Sequence, residues 1–190
     1  MTVEILDSER MCSGYLRVDR LRVRLPDGTE AERWMEDHGE AVSVLPYDAE
    51  RGVAWIARLF RPPVFRVTGS EVLEEACAGM IEAGDTAEAT VKREAEEELG
   101  LELHSVEPVA VVWSSPGIST ERQHLFLAPC RKRDRTGVGG GAEGEHESIA
   151  VIERSLQDLG RQAARGEIGD AKLLMLVLAL QVRRPELFKG

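Results

Sequence analysis

Cysteine is scarce: Cys12, Cys77 and Cys130 are the only three, and none stands in a Cys-x-x-Cys pair. So sparse and odd a set indicates neither a disulfide framework nor a zinc cluster, and a reducing cytoplasm is the expected location. Long apolar runs are missing too. The longest, Leu173 to Leu180, falls far short of the roughly 20 residues that a membrane span needs, so it reads as a buried helix and no membrane partner is expected. Positive charge is the minority sign, with 24 Lys and Arg against 34 Asp and Glu and a formal net charge of -10. That balance disfavours a general nucleic-acid or membrane-surface binder, and an anionic substrate would need a metal or local arginine. The opening residues already carry Glu4, Asp7, Glu9 and Arg10, so no export signal is expected there. No internal repeat is visible. The run Gly137-Val138-Gly139-Gly140-Gly141 lacks the Gly-Lys-Ser/Thr ending of a phosphate loop, and it reads as a mobile surface loop.

What is present is material for a core: 190 residues, 43% of them hydrophobic and 31% charged, enough for one domain with a small appendage. Apolar residues alternate with charged ones from Tyr15 to Leu25, and a turn at Pro26-Asp27-Gly28 precedes Ala31 to Glu36, which predicts an antiparallel hairpin. Strands are expected at Ala41 to Leu45 and Val53 to Phe60, with Pro62-Pro63 ending the second and a loop following. A short strand at Val72 to Ala78 leads to a helix over Thr86 to Leu99, stopped by Gly100. Further strands are read at Val106 to Trp113, His124 to Ala128 and Ile149 to Ile152, then helices at about Leu156 to Arg165 and Asp170 to Val182.

The helix over Thr86 to Leu99 carries the chemistry. At about 100° per residue, Ala87, Val91 and Ala95 define its buried direction, and Glu94 and Glu98 fall within that arc while Glu96 points away. Two carboxylates one turn apart on a partly buried face repel each other unless a cation compensates. All-oxygen donors, without cysteine or clustered histidine, favour Mg²⁺, with Mn²⁺ the alternative, and Mg²⁺ suits a phosphate-bearing substrate. Asp85 with Glu88 three residues on reads as an Asp form of the capping box.

The same residues carry a family pattern. Gly79, Arg93, Glu94, Ala95, Glu97, Glu98, Gly100 and Leu101 meet the fixed positions of the Nudix box, with Asp85 where that box has Glu. The chain resembles a Nudix hydrolase, and is most similar to the branch acting on nucleoside diphosphate sugars such as ADP-ribose and GDP-mannose. The resemblance implies a mixed α+β fold, an α/β/α sandwich with a small N-terminal antiparallel subdomain. Residues 1–40 would form that subdomain, which takes part in dimerisation, and residues 41–190 the hydrolase domain.

It further implies that Glu94, Glu98 and the carbonyl of Ala78 hold the metal, that Glu97 is a ligand or supports one, and that Arg93 orients the glutamates. Arg58-Leu59-Phe60-Arg61-Pro62 resembles the branch's Arg-Gln-aromatic-Arg segment, with Leu59 in place of Gln, so Arg61 would hold a phosphate. Ser115-Pro116-Gly117-Ile118 resembles its Ser-Pro-Gly-Gly loop, which makes Glu121 a substrate-site acid. Glu145-His146-Glu147 resembles the acidic loop whose glutamate prepares the attacking water. Glu145 is the first choice for that base and Glu147 the alternate, with Glu143 also open; His146 is a weaker candidate. The segment Gly166 to Lys172 resembles the branch's ending and is read as packing. The implied activity is Mg²⁺-dependent hydrolysis of a nucleoside diphosphate sugar to a nucleoside monophosphate and a sugar phosphate, by a cytoplasmic homodimer. The alternatives are a weakly catalytic nucleotide-sugar sensor, or an enzyme for another nucleoside diphosphate derivative.

Overall fold

The computed structural model describes residues 2–14, 16–141 and 148–189. Its fold is mixed α+β, in two compact units: Met1–Ala41 with Val111–Gln123, and Val42–Ala110 with His124–Gly190.

In the first unit, β1 (Glu4–Cys12), β2 (Arg17–Arg24) and β3 (Glu30–Asp37) form an antiparallel sheet in that order. The expected hairpin is β2 and β3; β1 is additional. Its sequence has no apolar alternation, and what holds it in register is charge across the strands. Arg24 bonds Glu4 at 2.9 Å on one side and Glu30 at 3.0 Å on the other, while Arg20 pairs with Glu9 and Arg10 with Asp19. The loop after Trp113 docks on the end of β3, where Glu36 N–H donates to Ile118 O at 2.7 Å and Thr120 N–H to Glu36 O at 2.9 Å.

The remaining strands are β4 (Glu40–Asp48), β5 (Val53–Leu59), β6 (Leu73–Glu75), β7 (Cys77–Met80), β8 (Glu107–Trp113), β9 (Arg122–Pro129) and β10 (Ala150–Ser155). They form a seven-stranded sheet with β10-β5-β4-β9-β8 as its path; β6 pairs with β5 and β7 with β4. Central β4 is buried along nearly its whole length. Alternate residues Val42, Val44, Trp55, Ala57, Phe126 and Ala128 share one core with Val91, Ala95 and Leu99 of α2 (Ala87–Leu99). The period of two in the strands and of about 3.6 in the helix therefore meet on one layer. Elsewhere α3 (Leu156–Arg165) and α4 (Ala171–Arg183) bury Leu156, Leu159, Leu173, Leu176 and Leu180, each worth about 1.5–3 kcal/mol of transfer free energy. No described helix is long and apolar enough to cross a membrane.

Three local expectations are corrected. The loop expected after Pro62-Pro63 is a helix, α1 (Pro62–Thr68), because both prolines occupy its first turn, where their missing N–H groups have no intrahelical partner to lose. The cap of α2 is Thr86, whose Oγ1 accepts from Ala89 N–H at 3.2 Å; Asp85 is exposed and Glu88 pairs with Lys92. Thr86→Ala is therefore expected to cost about 1 kcal/mol in denaturant melts, and Asp85→Ala less than about 0.5 kcal/mol. Equal losses would contradict this assignment.

The third correction concerns the glycine run, which is docked and not a free surface loop. Gly140 and Gly141 donate to Glu98 O and Glu97 O at 2.9 and 3.1 Å, and Thr136 donates to Gly100 O at 2.9 Å. These bonds satisfy carbonyls left open at the end of α2. Gly139 has φ of 70°, and a Cβ there would lie 2.3 Å from Glu98 O, so the close approach requires glycine.

Candidate functional site

Helix α2 presents its acidic residues in the order that its packing dictates. With Val91, Ala95 and Leu99 fully buried, Glu98 is drawn inward to 7% exposure, whereas Glu96 stays in solvent. Glu94 and Glu97 are half-buried on either side of Arg93, which donates to Glu94 Oε1 at 2.7 Å and to Glu97 Oε2 at 2.6 Å. Burial works against the charge on Arg93, but Glu94 and Glu97 outweigh it and hold the guanidinium above its ordinary pKa.

Strand β7 supplies the opposite wall. Ala78 N–H donates to Glu98 Oε2 at 3.2 Å, which fixes the inner carboxylate against the strand. Gly79 lies under Glu94: an added Cβ would stand 2.0 Å from its carboxyl carbon and 2.1 Å from Oε1. Only glycine leaves that carboxylate its place. Cys77 is wholly buried beside them, its thiol pushed well above the usual range by burial first and by the negative charge of Glu98 second. It is neutral and adds no charge to the site.

Three carboxylates against one guanidinium, partly withdrawn from water, form a set that calls for a further cation. Among the described residues no three acidic, histidine or cysteine side chains gather closely enough to hold a metal unaided. Two carboxylates with a strand carbonyl are nonetheless the kind of oxygen donors that a hard divalent cation takes together with water and phosphate oxygens. Glu94, Glu98 and Ala78 fit that role.

The other sequence candidates are placed as follows. Arg61 is the residue just before α1, two past the end of β5, and its Nε and Nη2 donate to the two carboxylate oxygens of Glu75 at 2.7 and 3.2 Å. Leu59, where the branch has Gln, is 4% exposed and part of the core. Glu121 belongs to the first unit, where Ser114 Oγ donates to it at 2.6 Å and Gln123 Nε2 donates to its other oxygen. Glu143, Glu145, His146 and Glu147 lie outside the described residues. Sequence reasoning passed over Glu75, Asp170 and Lys172 as site residues; the local run Leu73-Glu74-Glu75-Ala76-Cys77 carries two adjacent acids and gives no sign of which one is buried. It also passed over an apolar cleft of about 520 Å³ in the first unit, lined by Ile5, Val23, Trp34, Met35, Trp113 and Ile118 among others.

A helix-borne carboxylate pair, seated on a glycine and a strand amide, is an arrangement able to bring a divalent cation to phosphate groups. The NUDIX domain matches residues 37–177, and the chain belongs to the Nudix family. It is 32% identical over 189 residues to the GDP-mannose pyrophosphatase of Cronobacter sakazakii, covering 96% of this chain and 97% of that one. To the GDP-mannose pyrophosphatase of Klebsiella pneumoniae it is 34% identical over 152 residues, with coverage of 79% and 75%. Among solved structures, an ADP compounds hydrolase superposes with a TM-score of 0.78 over 98% of this chain and 96% of that one; at 14% identity, the likeness is one of fold.

Proposed function

We propose that the protein hydrolyses the diphosphate bond of a nucleoside diphosphate sugar, of the GDP-mannose or ADP-ribose type, to a nucleoside monophosphate and a sugar phosphate. The observation that carries this reading is the seat of Glu94 on Gly79 beside the buried Glu98. The near full-length likeness to GDP-mannose pyrophosphatases supports the choice of substrate class.

In this reading Glu94, Glu98 and the carbonyl of Ala78 hold Mg²⁺, or Mn²⁺ in its place. When bound, the metal supplies positive charge against the diphosphate and lowers the pKa of a coordinated water. Arg93 keeps Glu94 and Glu97 apart and oriented. Arg61 offers a planar donor set to a phosphate. Glu121, fixed by Ser114 and Gln123, is a substrate-site acid. Glu145 or Glu147 takes the proton of the attacking water, a role supported by the likeness of Glu145-His146-Glu147 to the family's acidic segment.

The active form we infer is a homodimer. Val3, Ile5, Trp34, Trp113 and Ile118, all in the first unit, expose 49–64% of their surface, and this supports a partner there. Three free cysteines, two of them buried, support a cytoplasmic setting. The departures at Asp85, Leu59 and Ile118 favour one second reading, a sensor that binds a nucleotide sugar without turnover.

A metal titration separates the two. With GDP-mannose, ADP-ribose and UDP-glucose in separate reactions, a hydrolase releases nucleoside monophosphate from at least one, stops in EDTA and restarts on adding Mg²⁺. Binding of the sugars with no release at any metal concentration would contradict the hydrolase.

A further inference from the structure

The strand segment from Glu75 to Ala78 has polar links on three sides. Ala78 N–H meets Glu98, Ala76 N–H meets Asp170 Oδ2 at 3.1 Å, and Glu75 meets Arg61. Behind Glu75 stands Lys172, whose Nζ donates to Glu75 Oε2 at 3.4 Å and to Asp170 Oδ1 at 2.7 Å. Asp170 also caps α4 by accepting from Leu173 N–H at 3.0 Å. Glu75 and Asp170 are 4% and 6% exposed, so two buried acids and two cations alternate in a chain that ends, toward solvent, on Arg61. Burial disfavours the Lys172 ammonium, yet Asp170 and Glu75 outweigh that and raise its pKa, which keeps the ammonium charged at neutral pH.

We propose that Glu75, braced by Lys172 and Asp170, is a positioning residue that presets the plane of the Arg61 guanidinium for a phosphate of the substrate. The inference rests on the reading that Arg61 meets the diphosphate. Two parallel N–H···O bonds fix the orientation of a guanidinium, whereas a single bond lets it pivot. An arginine already fixed by Glu75 gives up little rotamer freedom when phosphate arrives. Glu75 itself is too buried to meet substrate. Its effect therefore falls on binding and passes through Arg61.

The test is a double-mutant cycle of E75Q and R61A on the full chain. It is read as the Kd for GDP-mannose by calorimetry in EDTA and, separately, as KM and kcat with Mg²⁺. E75Q is expected to raise Kd and KM about tenfold with kcat within about threefold, R61A to raise them at least as much, and the double variant to exceed R61A by no more than about twofold. Effects that multiply, or an E75Q that binds like the parent while R61A does not, overturn the proposal. An R61A that binds like the parent overturns it too. The Kd cycle stands whether or not turnover is seen, so loss of the hydrolase reading appears separately, as absent product. Should E75Q melt below the assay temperature, K172M takes its place in the cycle, and K172R is expected to restore binding to near the parent value.

Discussion

Glu98→Gln is expected to lower kcat by roughly a thousandfold, about 4 kcal/mol of transition-state stabilisation, while leaving the protein folded. The side chain is 7% exposed and accepts the Ala78 N–H at 3.2 Å. Glutamine has the same shape, and its carbonyl oxygen can keep that bond, so the strand and α2 stay in register. What disappears is the negative charge. Glu98 sits one turn from Glu94 on a face closed by Val91, Ala95 and Leu99, and Arg93 bonds Glu94 and Glu97. Without a metal, neutralising Glu98 relieves repulsion, so the melting temperature is expected to hold or rise slightly. The combination is diagnostic: calorimetry showing a melting temperature within about 3 °C of the parent, with product formation nearly abolished. A variant retaining more than a tenth of the parent kcat would remove Glu98 from the metal site.

Gly79→Ala gives the second large effect, and a more selective one. The methyl group would stand 2.0 Å from the Glu94 carboxyl carbon and 2.5 Å from Oε2. Nothing in the backbone resists it, because Gly79 has no left-handed φ and the clashing atoms end a flexible side chain. The glutamate swings away at small cost in stability, about 1 kcal/mol or less, partly offset by the smaller entropy of the unfolded chain. Function does not tolerate the move, since displacing a catalytic group by about 1 Å costs on the order of a hundredfold. The expected outcome is a kcat/KM down about a hundredfold and a half-saturating Mg²⁺ concentration raised about tenfold, both from initial-rate titrations. An alanine variant with parent kinetics would show that Glu94 need not lie over Gly79.

Both predictions turn on Glu94 and Glu98, whose direction was legible in the sequence for a geometric reason, whereas the seat of Glu94 over Gly79 was not. A helix repeats every 3.6 residues, so Ala87, Val91 and Ala95 tell which way Glu94 and Glu98 face. Strands with apolar runs, such as those holding Val44 and Ile56, were equally open to reading. What escaped depends on contacts distant in sequence. Strand β1 is held by charges on β2, not by its own pattern; the glycines at 137–141 are ordered by the end of α2. Asp85 and Thr86 are adjacent cap-forming residues, and the sequence reading chose Asp85; the backbone turn that bonds Asp85 N–H to Glu82 O leaves Thr86 as the cap. The Arg61, Glu75, Lys172 and Asp170 chain joins residues up to 97 positions apart within single bonds, which no local window detects. Except at the cap of α2, the deciding partner lies on another element.

Hydrolysis at the diphosphate bond is the central claim, and phosphorus NMR of GDP-mannose incubated with the parent protein and Mg²⁺ tests it most directly. The two diphosphate resonances are expected to give way to two phosphomonoester resonances of equal intensity, GMP and mannose phosphate, in the parent and not in Glu98→Gln. An unchanged diphosphate spectrum, or conversion to GDP with free mannose, would contradict it.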